Sequence, residues 1–466
     1  MIRQSTHAHT AEAVKPYEQS AQSGDVAGLD QLSAGAIRSL KARDNHTNWR
    51  HLRFVWGVIA GTIAATIYAE HWLAASGRSL WWMVPVDVLA VFILGASQHQ
   101  LGGVIHEGTH FLLFESKRLN ELASDWLAAF AIYTSTYQYR VHHLAHHQFV
   151  NDPERDPDIA QLIDSDHWLD FPVAHIDVMR KLWRQLWPLN LARFTLVRAR
   201  YSAIGHDNNP YVASDRKVNK RPVYVGLAFA VAAPVIASNI LRFNMHGAAF
   251  GILTLSYAAT VSYFLWLAQE KFPQSRLQPV ISHRATTIGR MTFLYVFYAG
   301  FTLYDWGHGG QWAWDHFGVL WVLPLFTTFP LFMMIRQWVQ HGNADRGRYT
   351  NTRVFLMGPL VRYAVFPWGM DYHLPHHMMA SVPHYKLKAL HELFLSDPQY
   401  AEKGVVVEGY HGAADNAELP TLISILGAKH APKGQEAIHV DNATLEYAEV
   451  SDAAAIAREA ELSSGA

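Results

Sequence analysis

Long apolar stretches alternate with polar and charged segments along most of this chain. Six stretches are almost entirely apolar, at residues 54–75, 80–105, 222–241, 248–267, 289–303 and 317–335. About 20 apolar residues in a helix cross a hydrocarbon layer of ~30 Å, and several of these stretches are apolar on every side rather than on one face. The pattern therefore predicts an all-α, polytopic membrane helical bundle with about four to six spans, rather than a soluble protein with buried helices.

Charge at the ends of these stretches predicts how the chain is threaded. The stretches form three pairs whose links are short and poor in Lys and Arg, as expected of membrane hairpins. Positive charge is concentrated instead before the first pair, before the second pair and after the fourth stretch. Because positively charged loops stay in the cytoplasm, we expect both termini and every long loop on that side.

Two further stretches, 119–139 and 354–370, are interrupted by polar residues, Gly or Pro, and we expect interfacial or re-entrant helices there. The predicted domain organisation has a cytoplasmic N-terminal segment at 1–50 and a cytoplasmic C-terminal tail at 396–466. Between them, residues 51–395 are expected to form a membrane domain capped by a cytoplasmic helical region that contains the histidine clusters.

The composition agrees with a membrane location and narrows the chemistry. Only 17% of the residues are charged, against about 25% in an ordinary soluble chain. A net charge of -1 argues against binding nucleic acid through a basic surface. The chain contains no Cys, which excludes disulfides, iron–sulfur clusters and thiolate-bound zinc. It contains 28 His, so side-chain chemistry is expected to rely on imidazole, in acid–base catalysis or metal binding.

Many of the His residues fall in three clusters on the predicted cytoplasmic side. The first reads H-E-G-T-H at 106–110 and continues the second apolar stretch. In a helix its two imidazoles lie on one face, one turn apart. The second and third clusters, at 140–147 and 373–377, each contain His-x-x-His-His. In both we expect the first and second His on one helical face and the third about 100° away, directed towards a second metal ion.

One His-x-x-x-His box followed by two His-x-x-His-His boxes resembles the signature of the membrane fatty acid desaturase family, which also includes hydroxylases. The segments 151–158 (N-D-P-E-R-D-P-D), 340–343 (Q-H-G-N) and 381–385 (S-V-P-H-Y) are similar to family sequence as well. The resemblance covers roughly residues 54–395. It implies a membrane oxidoreductase that uses O2 as co-substrate and two iron ions held by imidazoles, which suit iron and leave positions open on it.

The resemblance also implies which residues bind the metal. The implied ligands are His106, His110, His143, His146, His147, His341, His373, His376 and His377. His142 also lies four residues before His146, although the family spacing favours His143 as the ligand. The residues expected to support the ligands are Glu107, His142, Asn151, Asp152, Asp156 and Asp158. The three Asp residues can accept the second N–H of a ligand imidazole. The alternative is a solvated acidic turn.

The implied reaction is desaturation of a fatty acyl chain of a lipid, and hydroxylation of a lipid or carotenoid is the alternative within the family. The wider family also includes enzymes for small amphipathic or amino-acid-derived substrates. Electrons are expected from a separate ferredoxin or cytochrome b5-like donor with its reductase, because the chain has no Cys and no His-Pro-Gly-Gly motif. The lack of a fused donor domain favours the bacterial inner membrane over the ER. Basic residues that could dock this donor, or simply flank the membrane, are Arg193, Arg198, Arg200, Arg216 and Lys217.

Two other classes of protein fit part of the pattern. The first cluster also matches H-E-x-x-H, the zinc metalloprotease motif, with Glu107 as general base, which would indicate an intramembrane protease. That interpretation leaves both His-x-x-His-His boxes unexplained. A histidine-rich metal transporter would place its ligands near the bilayer midplane, where His99 is the one candidate.

Overall fold

A computed structural model of the protein describes residues 34–204, 209–212, 219–410, 419–434 and 437–443. In chain order the helices are α1 (Ala34–Lys41), α2 (Thr47–Ala75), α3 (Leu80–Thr109), α4 (Lys117–Ser124), α5 (Thr136–Gln148), α6 (Pro157–Asp164), α7 (His175–Gln185), α8 (Pro188–Ile204), α9 (Arg221–Leu241), α10 (His246–Trp266), α11 (His283–His308), α12 (Trp312–His341), α13 (Pro359–Val365), α14 (His373–Met378), α15 (Leu387–Phe394) and α16 (Pro398–Lys403). The strands are β1 (Arg353–Leu356) and β2 (Val405–Glu408). The predicted all-α helical bundle is confirmed.

Five helices of the described chain are long and apolar enough to cross a membrane, namely α2, α3, α9, α10 and α12. This number lies within the predicted range. The six predicted stretches all fall in long helices that follow one another in pairs, α2–α3, α9–α10 and α11–α12, with short links. The stretch at 289–303 lies in α11, which carries Arg284, Arg290 and Asp305 and is not among the five.

Helix α3 is the central element of the bundle. It packs against α2, α5, α12 and α13, and from Leu94 to its end every residue except Gly102 is buried. Leu101 and Val104 lie in one apolar cluster with Leu52 of α2. Because the first His box forms the end of this helix, its imidazoles lie where neighbouring elements exclude water on all sides.

Helices α3 and α12 approach each other closely at Gly95. A Cβ at this position would lie 2.8 Å from the backbone N of Phe329 and even closer to the side chain of Thr328. The Thr328 hydroxyl donates to the Val91 carbonyl oxygen at 2.7 Å across the same contact. Small residues let membrane helices pack at such short separations. Gly95 therefore sets the distance between the two helices that carry the first box and His341.

The two irregular stretches of the sequence form short elements rather than spans. The first contains α4 and a π-helical turn at Asp125–Ala129, and both pack on α3. The second contains β1 and α13. β1 pairs in parallel with β2, with Arg353 opposite Val405 and Leu356 opposite Glu408. This pairing was not predicted, and it brings residues after 395 into the same core as β1. The domain boundaries at 50 and 395 stay predictions.

We expect Gly95→Ala to lower the free energy of unfolding by about 1–3 kcal/mol, because the added methyl group overpacks a tight contact. Thermal unfolding of the purified protein in detergent measures this effect. The matched control is Gly57→Ala on α2, where a Cβ would meet nothing within 4 Å. The control should be neutral or slightly stabilising, since Ala is the better helix former. Equal stability of both variants would contradict the proposed close approach.

Candidate metal centre

Nine buried imidazoles meet at one end of the bundle and form two groups. The first group consists of His106, His110, His143, His147 and His376. The second group consists of His146, His341, His373 and His377. Within each group the nitrogen atoms that could bind a metal lie within 4.8 Å of one another. The structure thus brings together the nine residues that the family resemblance implied as ligands.

The second and third boxes each contribute to both groups, in a way that differs from the sequence-based prediction. In α5, His143 and His147 share the first group and His146 belongs to the second. In α14, His373 and His377 share the second group. The prediction that the first two His of each box share a face was wrong. Residues four apart lie about 40° apart around a helix, whereas residues three apart lie about 60° apart on the other side.

Ring nitrogens within each group face one another at short distances. In the first group, Nε2 of His143 lies 3.0 Å from Nε2 of His110, and His147 and His376 are related in the same way at 3.1 Å. Two nitrogens bound at right angles to one metal at about 2.1 Å also lie about 3 Å apart. His106 offers both ring nitrogens, since neither has a hydrogen-bond partner. The residues present therefore fit a bound metal ion in each group.

The charge state of the rings suits metal binding as well. Burial is the main reason why the pKa values of His143, His147 and His373 lie well below the usual value, and the neighbouring imidazoles lower them further. Burial also lowers the pKa of His376 to about 3. These rings are therefore neutral at physiological pH, and a neutral imidazole keeps the lone pair that a metal ion needs.

Sequence comparisons agree with this geometry. The family profile described as "Fatty acid desaturase" matches residues 81–287 and 244–408. The chain belongs to the fatty acid desaturase family. With its membrane-spanning helices, it is an integral-membrane oxidoreductase. Dihydrorhizobitoxine desaturase of Bradyrhizobium elkanii is 23% identical over 344 residues, which cover 71% of this chain and 75% of that protein.

In this member of the fatty acid desaturase family, Asp156 makes the contact that was predicted for it. Both of its carboxylate oxygens lie 3.0 Å from Nδ1 of His146. The carboxylate is itself held by the backbone N–H groups of Asn151 and Asp158, and Asn151 adopts the left-handed conformation that Asn tolerates. Although burial alone lowers the pKa of His146, Asp156 outweighs it and raises the pKa. The same negative charge favours a metal cation on the opposite nitrogen.

Asp158 bonds an imidazole that is not among the implied ligands, while its Oδ2 lies 3.9 Å from Nδ1 of the implied ligand His146. Its Oδ1 lies 2.7 Å from Nε2 of His142 and 2.5 Å from a guanidinium nitrogen of Arg198. Burial alone would raise the pKa of Asp158, but Arg198 outweighs this effect and holds that pKa well below its usual value. Burial and Arg198 lower the pKa of His142 to about 4. His142 therefore lies outside both groups, beside a buried ion pair rather than in a solvated turn.

The remaining two acidic residues connect neighbouring segments. Asp152 forms ion pairs with Arg155 at 2.6 Å and Arg346 at 2.9 Å, so it does not reach a ligand imidazole as predicted. Glu107 accepts the backbone N–H of His384 at 3.1 Å, and its other oxygen lies 3.8 Å from Nδ1 of His106. Glu107 therefore joins the first box to the segment that follows the third.

A buried ion pair that the sequence analysis missed fixes the first box against the second. Arg140 donates to both carboxylate oxygens of Glu121, at 3.1 and 2.7 Å. It also donates to the carbonyl oxygens of Gly108 and Thr109, at the end of α3. Removing one partner of such a pair typically costs about 3–5 kcal/mol. The only signal in the sequence was an Arg directly before the second box, which is also typical of a membrane flank.

The basic residues considered for docking of an electron donor lie in different surroundings. Arg198 forms an ion pair with Asp158. Arg193 and Arg200 are exposed and bind Asp164. The other two candidates, Arg216 and Lys217, lie outside the described residues.

We expect Asp156→Asn to weaken metal binding by about 10–100-fold, the usual effect of removing a carboxylate that orients a ligand imidazole. Competition with a chelating indicator measures the metal affinity of the purified protein. Asp152→Asn is the matched control, because Asp152 is equally buried but bonds Arg side chains instead. It should lower thermal stability without changing metal affinity. The same loss of affinity in both variants would show that Asp156 acts only through the fold.

Proposed function

We propose that this protein is an O2-dependent diiron desaturase that introduces a double bond into the acyl chain of a lipid or lipid-like substrate. The observation that carries this proposal is the pair of buried imidazole groups, with five and four rings, at one end of a membrane bundle. Desaturation is favoured over hydroxylation because the relative from Bradyrhizobium elkanii is itself a desaturase.

In this proposal the nine His residues are iron ligands, and each group holds one iron. Bound iron supplies the oxidising power for an unactivated C–H bond, which no amino-acid side chain provides. The chain itself disfavours protonation of most of the rings, buries them away from bulk water and orients His146 through Asp156. Because α5 and α14 each supply rings to both groups, these two helices would hold the two metal ions at a constant distance from each other.

We also propose that the boxes face the cytoplasm of a bacterium, with the protein in its inner membrane. Helices α3 and α12 carry the first box and His341 at their C-terminal ends, so two spans deliver ligands to the same end of the bundle. Basic residues around that end, such as Arg43 and Arg53 before α3, support a cytoplasmic location. A separate ferredoxin or cytochrome b5-like protein, with its reductase, would supply the electrons.

The arrangement of the imidazoles gives little support to the zinc metalloprotease or to the metal transporter. A zinc metalloprotease needs one metal with about three protein ligands, whereas the first box here lies among imidazoles from all three boxes. A transporter would need ligands near the middle of the spans. Nδ1 of His99 lies 2.8 Å from the carbonyl oxygen of Ala364, and His99 belongs to neither group.

We expect His143→Ala to lose iron and to lower product formation by more than about 100-fold, since removing groups that merely orient a ligand already costs 10–100-fold. His142→Ala, at the adjacent position, is the control and should keep its iron. Elemental analysis gives the iron per chain, and mass spectrometry of cellular lipids and acids detects new double bonds. Full iron content in the His143 variant, or iron loss only in the His142 variant, would overturn the assignment.

Glu107→Gln separates the desaturase from the protease. A zinc protease would lose its general base and all activity. In the desaturase the amide can still accept the N–H of His384, so we expect unchanged iron content and partial activity. Complete loss of activity with iron content intact would favour a direct chemical role of Glu107.

A further inference from the structure

Arg336 is a buried cation close to the metal centre. It lies on α12, five residues before His341, and is 7% exposed. Its Nε has no hydrogen-bond partner. Its guanidinium bonds the hydroxyl of Tyr139, and the carboxylate of Asp158 acts on it from beyond ion-pair distance. Within the part of the chain that the structure describes, no carboxylate forms an ion pair with Arg336. A buried charge is normally paired, because burial removes its hydration.

The other buried Arg residues around the metal centre have their partners. Arg140 is paired with Glu121, and Arg198 is paired with Asp158. Arg353 donates to the carbonyl oxygens of Val339 and Asn343. Arg336 differs from these neighbours because its Nε has no hydrogen-bond partner and, among the described residues, no carboxylate lies within ion-pair distance of it.

Further buried polar atoms without a partner lie on the same two helices. They include Nε2 of His99 on α3 and both amide atoms of Gln337 on α12. α3 and α12 pack against each other, and His99 and Arg336 interact electrostatically. Gln337 lies four residues, or about one turn, before His341. The orphaned donors and acceptors therefore lie next to the metal centre, on its membrane side.

Tyr139 connects Arg336 to the first group of imidazoles. Its ring stacks on the ring of His143, with centroids 5.2 Å apart and planes inclined by 15°. The positive charge of Arg336 also acts on His106. The ring of Tyr139 thus lies between the guanidinium of Arg336 and the imidazole of His143, so that the distance between these two groups is on the order of 10 Å, given ordinary hydrogen-bond lengths.

We propose that Arg336 binds the carboxylate of the substrate, with Gln337 and His99 as further polar contacts. The planar guanidinium fork matches a carboxylate, and neutral metal ligands leave the centre cationic, which also attracts an anion. The substrate is then a small amphipathic carboxylic acid whose oxidised bond lies within the first several carbons from the carboxylate. A phospholipid or thioester has no free carboxylate for this site. The proposal rests on the proposed desaturase function and specifies its substrate class.

Binding of hexanoate to the detergent-purified, metal-loaded protein tests this proposal. Ligand-observed NMR compares hexanoate with methyl hexanoate, which has the same chain but no charge. We expect saturable binding of hexanoate, and affinity lower by roughly tenfold or more for the methyl ester, the effect expected of a charge-assisted hydrogen bond. Arg336→Gln should weaken hexanoate binding by a similar factor and leave the methyl ester unaffected. Arg336→Lys should restore part of the affinity.

Arg184→Gln is the control for the loss of one positive charge, because Arg184 is exposed and forms a surface ion pair with Asp166. It should bind hexanoate like the unmodified protein. Equal binding of acid and ester by the unmodified protein overturns the proposal, even if Arg336→Gln does not fold. So does unchanged hexanoate binding by a folded Arg336→Gln. Iron content is measured on the same samples: absence of iron contradicts the diiron function, whereas iron without Arg336-dependent binding contradicts only the substrate assignment.

Discussion

Nine buried imidazoles close to one another are the constraint on which the rest of this structure depends. Burial takes the rings out of water and disfavours their protonation, and few of them find a hydrogen-bond partner for every nitrogen. A metal cation is the partner that satisfies many lone pairs in one place. The helices that supply the rings must therefore end together. Gly95 sets the close approach of α3 and α12, and the ion pair of Arg140 with Glu121 holds the end of α3 on α5.

The mixed origin of the two groups has a structural consequence. Because α5 and α14 each place rings in both groups, a movement of either helix affects both groups. A shift of α14 by one residue would rotate its rings by about 100° and would disrupt both groups at once. Backbone contacts outside the groups restrict such movement, for example the bond between Glu107 and the N–H of His384.

Electrostatics around the centre are divided between its two sides. On one side Asp156 places a negative charge on His146, and Asp158 neutralises Arg198. On the membrane side, Arg336 forms no ion pair with a carboxylate of the described residues, and Asp158 acts on it only from a distance. Such an arrangement separates the groups that hold the rings from a surface that can receive an anion. It also explains why removing a carboxylate and removing Arg336 are expected to affect different properties, metal affinity and ligand affinity.

The sequence by itself determined the membrane helices and the set of box histidines, because hydrophobicity over about 20 residues and spacing within one or two helical turns are local properties. It did not determine which rings share a group, since the direction of His146 depends on where α12 and α14 lie. Nor did it separate Asp156, which bonds an imidazole, from Asp152, which bonds Arg346 across nearly two hundred residues. The ion pair of Arg140 with Glu121 was likewise decided only by tertiary structure, as was the fact that Arg336 has no ion-pair partner among the described residues. Charge pairing in a buried site depends on segments far apart in the chain.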